Sequence, residues 1–265
     1  MYIFRKLLLI VIILVVLASC ADDSDPLQVK GKSGEEIYTE ANTALNNSTY
    51  DKAIKLYNAL ETSYPYGVYA QQGMLELSYA YYEYDQYENA LATIDQFINT
   101  YPTNPNIDYA LYLKGYINYR HDDSFFAKIT KQDASELDPE GLRAAHKSFT
   151  ELITQYPKSA YVSDAQNKIN QIVMALAKSE IIKARYYMEI KAYLAAINRA
   201  NTVITTYSTT NLVEEALAIE VVAYQELGMS MLSKDIYRVL ALNYPNSKYL
   251  KNRWVYIEYP WYKIY

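Results

Sequence analysis

The chain has 265 residues, 51% of them hydrophobic, and carries 30 acidic against 25 basic side chains for a net charge of −5. That length is ample for a folded core, and the acidic balance speaks against nucleic acid, which calls for a basic footprint. Cys20 is the sole cysteine, which excludes an internal disulfide.

Residues 1–19 read as a signal peptide. Arg5 and Lys6 precede an apolar run from Leu7 to Leu17, and small residues follow. The run is shorter than the roughly 20 residues of a membrane span. Removing this segment takes away two basic and no acidic residues, so the charge goes from −5 to −7. Leu17-Ala18-Ser19-Cys20 resembles the lipobox of bacterial lipoproteins. That resemblance implies a covalent lipid on Cys20 (diacylglycerol and an N-acyl chain); the plainer alternative is a secretory signal with an incidental cysteine. Ala21, where inner-membrane lipoproteins carry aspartate, implies sorting to the outer membrane, lipid-anchored and facing the periplasm.

Residues 20–34 are polar, with Pro26, Gly31 and Gly34, and read as a flexible tether. Gly31-Lys32-Ser33 is not a phosphate loop, because Pro26 stands where that motif needs glycine.

From Tyr50 onward one pattern recurs. Tyr64, Tyr101, Tyr156, Tyr207 and Tyr244 stand in equivalent places, and all but Tyr207 are followed by proline. Eleven residues before each is a small side chain: Ala53, Ala90, Ala145, Ala196 and Ser233. Four before each is an apolar one: Leu60, Phe97, Leu152, Val203 and Leu240. These offsets share one helix face, and the proline ends the helix. The first and last spacings are both 37 residues, a period that reads as a tetratricopeptide array. The expected fold is all-α, a helical-repeat solenoid of about five tetratricopeptide-like helix pairs. The expected divisions are N-terminal repeats over 35–120, an insertion over 121–140, C-terminal repeats over 141–247 and an aromatic, basic tail over 248–265.

The two middle spacings are 55 and 51 residues. The third repeat is expected to carry a loop, with Phe125 and Phe126 either plugging its groove or contacting a partner. The fourth is expected to carry longer helices, its 14 extra residues adding about two turns to each. Of 31 tyrosines against 5 phenylalanines, most should pack at helical spacing, and some should line the groove of the array. Tyr66, Tyr69 and Gln72 leave the first repeat, while Asn106, Asp108 and Tyr109 leave the second, so the two stretches are candidates to lie side by side as a peptide-binding surface. Asn106 and Asp108 have an alternative role as helix caps.

Several of these stretches resemble the BamD family, the tetratricopeptide lipoproteins of the outer-membrane β-barrel assembly machinery. YPYGVYAQQ (64–72) and NPNIDYALYLKGYIN (104–118) are similar to that family's loops entering repeats two and three, and the segment from Asp122 through Arg143-Ala144-Ala145 resembles its insertion. The resemblance spans about Glu35 to Tyr244. The aromatic tail departs from it, as does His146, which stands at an aliphatic position. It implies a scaffold that aids insertion of outer-membrane proteins. The N-terminal repeats would receive unfolded outer-membrane protein substrates or accessory assembly lipoproteins, and the C-terminal repeats would dock on the POTRA domains of an outer-membrane barrel protein. Ala196 and Ala200 are expected to face the partner helix, so Arg199 should point away from it, towards solvent or a partner; the resemblance implies that it contacts an acidic residue of a POTRA domain, and the alternative is a solvated surface arginine. Another periplasmic repeat lipoprotein, coordinating envelope or peptidoglycan proteins, is the competing reading. His121 and His146 are far apart, no HExxH or GxSxG occurs, and neither an enzyme nor a bound cofactor or metal is expected.

Overall fold

The computed structural model describes residues 29–120 and 139–252. Residues 1–28, 121–138 and 253–265 lie outside the described residues, and with them the expected signal peptide, Cys20, most of the expected tether, most of the expected 121–140 insertion and most of the expected tail. Every element described is helical, and the helices follow one another as the first and second members of repeats. The chain divides into two compact units, through Asp85 and from Gln86.

The first unit holds α1 (Gly34–Asn46), α2 (Tyr50–Ser63) and α3 (Val68–Glu83). Ser33 caps α1: its hydroxyl accepts from the Glu36 amide, while the Glu36 carboxylate accepts from the Ser33 amide at 2.7 Å. Lys32 pairs with Glu40, 2.6 Å away. Ile37 and Ala41 of α1, Ala53, Leu56, Tyr57 and Leu60 of α2, and Leu77 and Ala80 of α3 form one buried cluster.

The second unit holds α4 (Tyr87–Thr100), α5 (Ile107–Arg120), α6 (Pro139–Gln155), α7 (Val162–Glu189), α8 (Tyr193–Thr206), α9 (Val213–Glu226), α10 (Ser230–Asn243) and the short α11 (Lys248–Lys251). Each helix from α4 to α10 packs on the next. The C-terminal half of α7, from Ala177 to Met188, shares one buried cluster with α8, α9 and Leu240 of α10.

The recurring sequence positions behave alike wherever they fall. The four alanines and Ser233 are buried, and so are the five apolar residues seven places later. Each repeat tyrosine donates its amide to the carbonyl of that apolar residue, at 2.8–3.1 Å, which closes the last turn. Proline leaves its mark on the backbone: Tyr64, Tyr101 and Tyr244 precede proline and have ψ of 65°, 56° and 64°. Tyr207 precedes Ser208 and sits nearer to helical geometry at ψ 37°.

The lengthening of the fourth repeat differs from the expectation. All of it lies in α7, which has 28 residues, while α8 keeps the 14 of an ordinary second helix. The turn between them sets this. Lys191 stands 16 residues before Tyr207, as Ser48, Asp85 and Gly228 stand 16 before Tyr64, Tyr101 and Tyr244. All four have positive φ, at 57°, 58°, 59° and 76°. At three of them the chain forms the Schellman pair of hydrogen bonds, as in Lys191 N–H to Met188 at 3.1 Å and Ala192 N–H to Tyr187 at 2.8 Å. With that turn fixed, α8 cannot start earlier, and the extra residues extend α7.

Only Gly228 among the four occupies the left-handed region without a Cβ conflict, which costs other residues about 1–2 kcal/mol. Lys191→Gly is therefore expected to stabilise the fold by about 1 kcal/mol and Gly228→Lys to destabilise it by a similar amount, as read by urea denaturation of the two variants.

Candidate functional site

The expected peptide-binding residues fall in both units, and each set is described within its own. In the first unit, Tyr66 is 89% exposed. It is followed by Gly67 at φ 108°, a conformation that favours glycine and turns the chain into α3. Tyr69 and Gln72 are the second and fifth residues of that helix, half-buried and exposed respectively. Tyr69 packs on Tyr38 of α1 with ring centroids 5.5 Å apart, and Tyr38 packs on Tyr57 of α2 at 6.2 Å. Burial, and then the Glu35 carboxylate, hold the Tyr69 hydroxyl above the usual phenol range. Glu76, two turns into α3, is pushed up by burial, and its charge acts on both Tyr38 and Tyr57. The Tyr57 hydroxyl is shut off from solvent with no hydrogen-bond partner among the described residues. This face joins a row of tyrosine rings to a carboxylate in partly dehydrated surroundings.

In the second unit, Asp108 is the second residue of α5. Its carboxylate accepts from the Tyr109 amide at 2.8 Å in the first turn of α5. Asn106 contributes its backbone carbonyl to the Ala110 amide, while the side chain of Asn104 accepts from the Asn106 amide at 2.8 Å. Tyr109 is half-buried at one end of an aromatic stack that sequence reasoning missed. Its ring lies 5.6 Å from Tyr161, which stacks on Tyr112 at 4.8 Å and 22°. Tyr112 continues to Tyr116, 6.0 Å away, and Lys168 of α7 sits 5.1 Å from the rings of both Tyr116 and Tyr119. The Tyr112 hydroxyl donates to Asp164 at 2.7 Å and that of Tyr119 to Gln171 at 2.6 Å. The spacing Tyr109-Tyr112-Tyr116-Tyr119 was the available signal, being i, i+3, i+7 and i+10 on one helix face.

Arg199 differs from the expectation that it points away from its partner helix. It reaches back to α7, where its guanidinium donates to Glu180 at 3.2 Å. Glu180 is buried and also holds Lys183 at 2.8 Å. The Arg199 side chain remains 43% exposed, so one edge of the guanidinium faces out while the other is tied to a buried carboxylate. Five turns' worth of sequence separate the pair, and nothing local announces it. Nearby in the same unit, Arg185 grips Glu215 of α9 with two bonds of 2.7 Å, so Glu215 serves an inter-helix pair beyond its place in the first turn of α9.

Comparison with known proteins follows the same lines. A family model described as "YfiO: Outer membrane lipoprotein" matches residues 30–239, and a protein of Neisseria meningitidis serogroup B named "Outer membrane protein assembly factor BamD" is 42% identical over 98% of this chain and 99% of its own. The chain belongs to the BamD (YfiO) family. A serogroup A protein of that name is 41% identical over the same shares. The BamD of Vibrio cholerae is 34% identical over 83% of this chain and 91% of its own. The family resemblance read from the loops entering repeats two and three is thus shown over nearly the whole chain. Among the described residues of this BamD-family chain, no helix is long and apolar enough to cross a membrane.

The second unit also buries a carboxylate that should govern its response to pH. Glu220 of α9 is buried, and burial pushes its pKa up to about 7 from 4.5. A carboxylate raised in the fold favours the protonated form, so its contribution is complete below about pH 4.5 and is lost as pH rises through about 7. Glu220→Gln is expected to raise stability at pH 8 by on the order of 2 kcal/mol and to make no difference at pH 4, as read by thermal melts across that range.

Proposed function

We propose that this chain is a non-enzymatic scaffold for the assembly of outer-membrane proteins, held by a lipid on Cys20 at the periplasmic face of the outer membrane. The observation that carries the reading is full-length similarity to proteins named as outer membrane protein assembly factors. Helix pairs suit the role, because stacked repeats offer long surfaces to other chains. In this reading the first unit receives segments of unfolded outer-membrane proteins or accessory lipoproteins on the Tyr66, Tyr69 and Gln72 stretch, and Asn106, Asp108 and Tyr109 extend that role into the second unit. Tyrosine fits such a surface, with large apolar area, few rotamers to freeze and a hydroxyl for backbone groups. The second unit docks on the POTRA domains of the barrel subunit through Arg199.

The Arg199–Glu180 pair determines how this is tested. Charge reversal at Arg199 would set a second carboxylate against buried Glu180 and damage the fold, so the neutral double variant Glu180→Gln/Arg199→Gln is the cleaner probe. It should melt within a few degrees of wild type and lose the barrel subunit in co-purification, since the exposed edge of the guanidinium is gone. Wild type should retain a POTRA-bearing barrel protein in stoichiometric amount. Its absence there overturns the assembly reading; retention by the double variant removes Arg199 from the contact.

Anchoring is tested separately. Mass spectrometry of the mature chain should find Cys20 as the N-terminal residue carrying three acyl chains, because a single chain binds membranes only marginally. An unmodified Cys20 would refute the lipoprotein reading.

A further inference from the structure

The face that α1 and α3 share in the first unit holds a carboxylate with no counter-charge. Tyr69, Gln72 and Glu76 of α3 stand at i, i+3 and i+7, and so do Glu35, Tyr38 and Asn42 of α1, a spacing that lines one face of each helix. Tyr38 and Tyr69 join the two rows, with ring centroids 5.5 Å apart, and buried Tyr57 of α2 packs on Tyr38 at 6.2 Å. Tyr38, Tyr69 and Glu76 are half-buried, so part of each meets solvent. Glu76 has neither a hydrogen bond nor an ion pair among the described residues, and the Tyr57 hydroxyl has no partner there either. Glu35 is engaged by the Tyr69 hydroxyl. Lys32 and Lys52 are both held by Glu40, and Lys55 by Asp51.

This arrangement costs the free protein stability. A carboxylate taken partly out of water is penalised unless an opposite charge or hydrogen bonds answer it, and burial alone acts on Glu76. Glutamine would fill the same space without that penalty. A cation arriving from outside removes the penalty and meets two ring faces as well, since a basic group within about 6 Å of a tyrosine centroid is attracted by the ring. Between Val29 and Asp85 the chain carries eight acidic against four basic side chains, so the approach of a cation is favoured too. Tyr66 is 89% exposed three residues before Tyr69, and Gln72 is exposed one turn before Glu76. They add an apolar and an amide contact beside the charge, which suits a polypeptide with its backbone and neighbouring side chains rather than a lone amine. We propose that this face binds the basic side chain of an extended polypeptide segment, its charge laid on Tyr38 and Tyr69 and paired with the Glu76 carboxylate. The inference rests on reading the Tyr66, Tyr69 and Gln72 stretch as a receiving surface, and it names the chemistry that surface selects.

The probe is a capped heptapeptide, Gly-Ser-Val-Arg-Val-Ser-Gly, beside a twin with citrulline at its centre, which keeps the shape of arginine and loses the charge. Both are titrated by NMR with the chain from residue 21, which keeps every described residue. The arginine peptide should bind at least about tenfold more tightly than its twin. Its δ-methylene protons should move upfield, as protons lying over an aromatic face do. Glu76→Gln should bring the two affinities together with helical circular dichroism unchanged, and Tyr69→Leu should shrink the upfield shift. Equal binding of the two peptides by wild type overturns the proposal, as does a preference for arginine that survives Glu76→Gln. Displacement of the arginine peptide by phosphatidylethanolamine vesicles overturns a polypeptide as the occupant. None of these outcomes bears on whether a POTRA-bearing barrel protein co-purifies, which tests the assembly reading by itself.

Discussion

Each repeat depends on a small side chain eleven residues before its closing tyrosine. Ala53, Ala90, Ala145 and Ala196 are wholly buried, and Ser233 nearly so. At that point the second helix of a repeat meets its neighbour with nothing larger than a methyl or hydroxymethyl group between backbones. A bigger residue would push the helices apart and lift the apolar side chain seven places on from its socket. Ser233 shows how polarity is absorbed in the same space: its hydroxyl donates to the Val221 carbonyl at 2.8 Å, so burial leaves no orphaned donor. Close approach, rather than any single strong bond, holds the register in which all the other contacts form.

Within that register the charged groups divide into two kinds. Lys55–Asp51 and similar one-turn pairs lie on exposed helix faces and contribute little. Glu180 and Glu215 sit in partly or fully buried places and each draws an arginine across from a different helix. Removing one partner of such a pair leaves a carboxylate stranded in a poor solvent, which is far worse than never having had the pair. Arg199 therefore serves the interior of the second unit as well as any surface it presents outward, and a substitution there reports on both unless Glu180 is neutralised with it.

The repeats were legible because they rest on side-chain size at fixed offsets along one helix, which sequence states directly. The turn signal was legible too, in the proline after four of the five tyrosines. The capping box of α1 stood in plain view as Ser33 and Glu36, three residues apart, while the reading of Gly31-Lys32-Ser33 stopped at rejecting a phosphate loop. The pairs Arg199–Glu180 and Arg185–Glu215 were not legible, because they depend on how far one helix slides along another, and residues 19 or 30 apart carry no local trace of that. The division of the fourth repeat's extra length failed for a related reason. An even split between two helices was the simplest assumption, but the left-handed turn at Lys191 fixes where the second helix begins.

The 28-residue α7 makes neighbouring repeats share one fate. Its first half meets α5 through Asp164, Lys168 and Gln171, and its second half is built into the cluster with α8, α9 and α10. Repeat arrays with separate, equal helices behave as chains of weakly linked units that can fray one at a time. A helix, however, resists being broken in the middle, because melting an interior turn gives up hydrogen bonds without freeing an end. With one rod spanning both neighbourhoods, opening either end of it strains the other. The third, fourth and fifth repeats are thereby bound into a single cooperative block, and thermal motion that loosens one must be shared by all three.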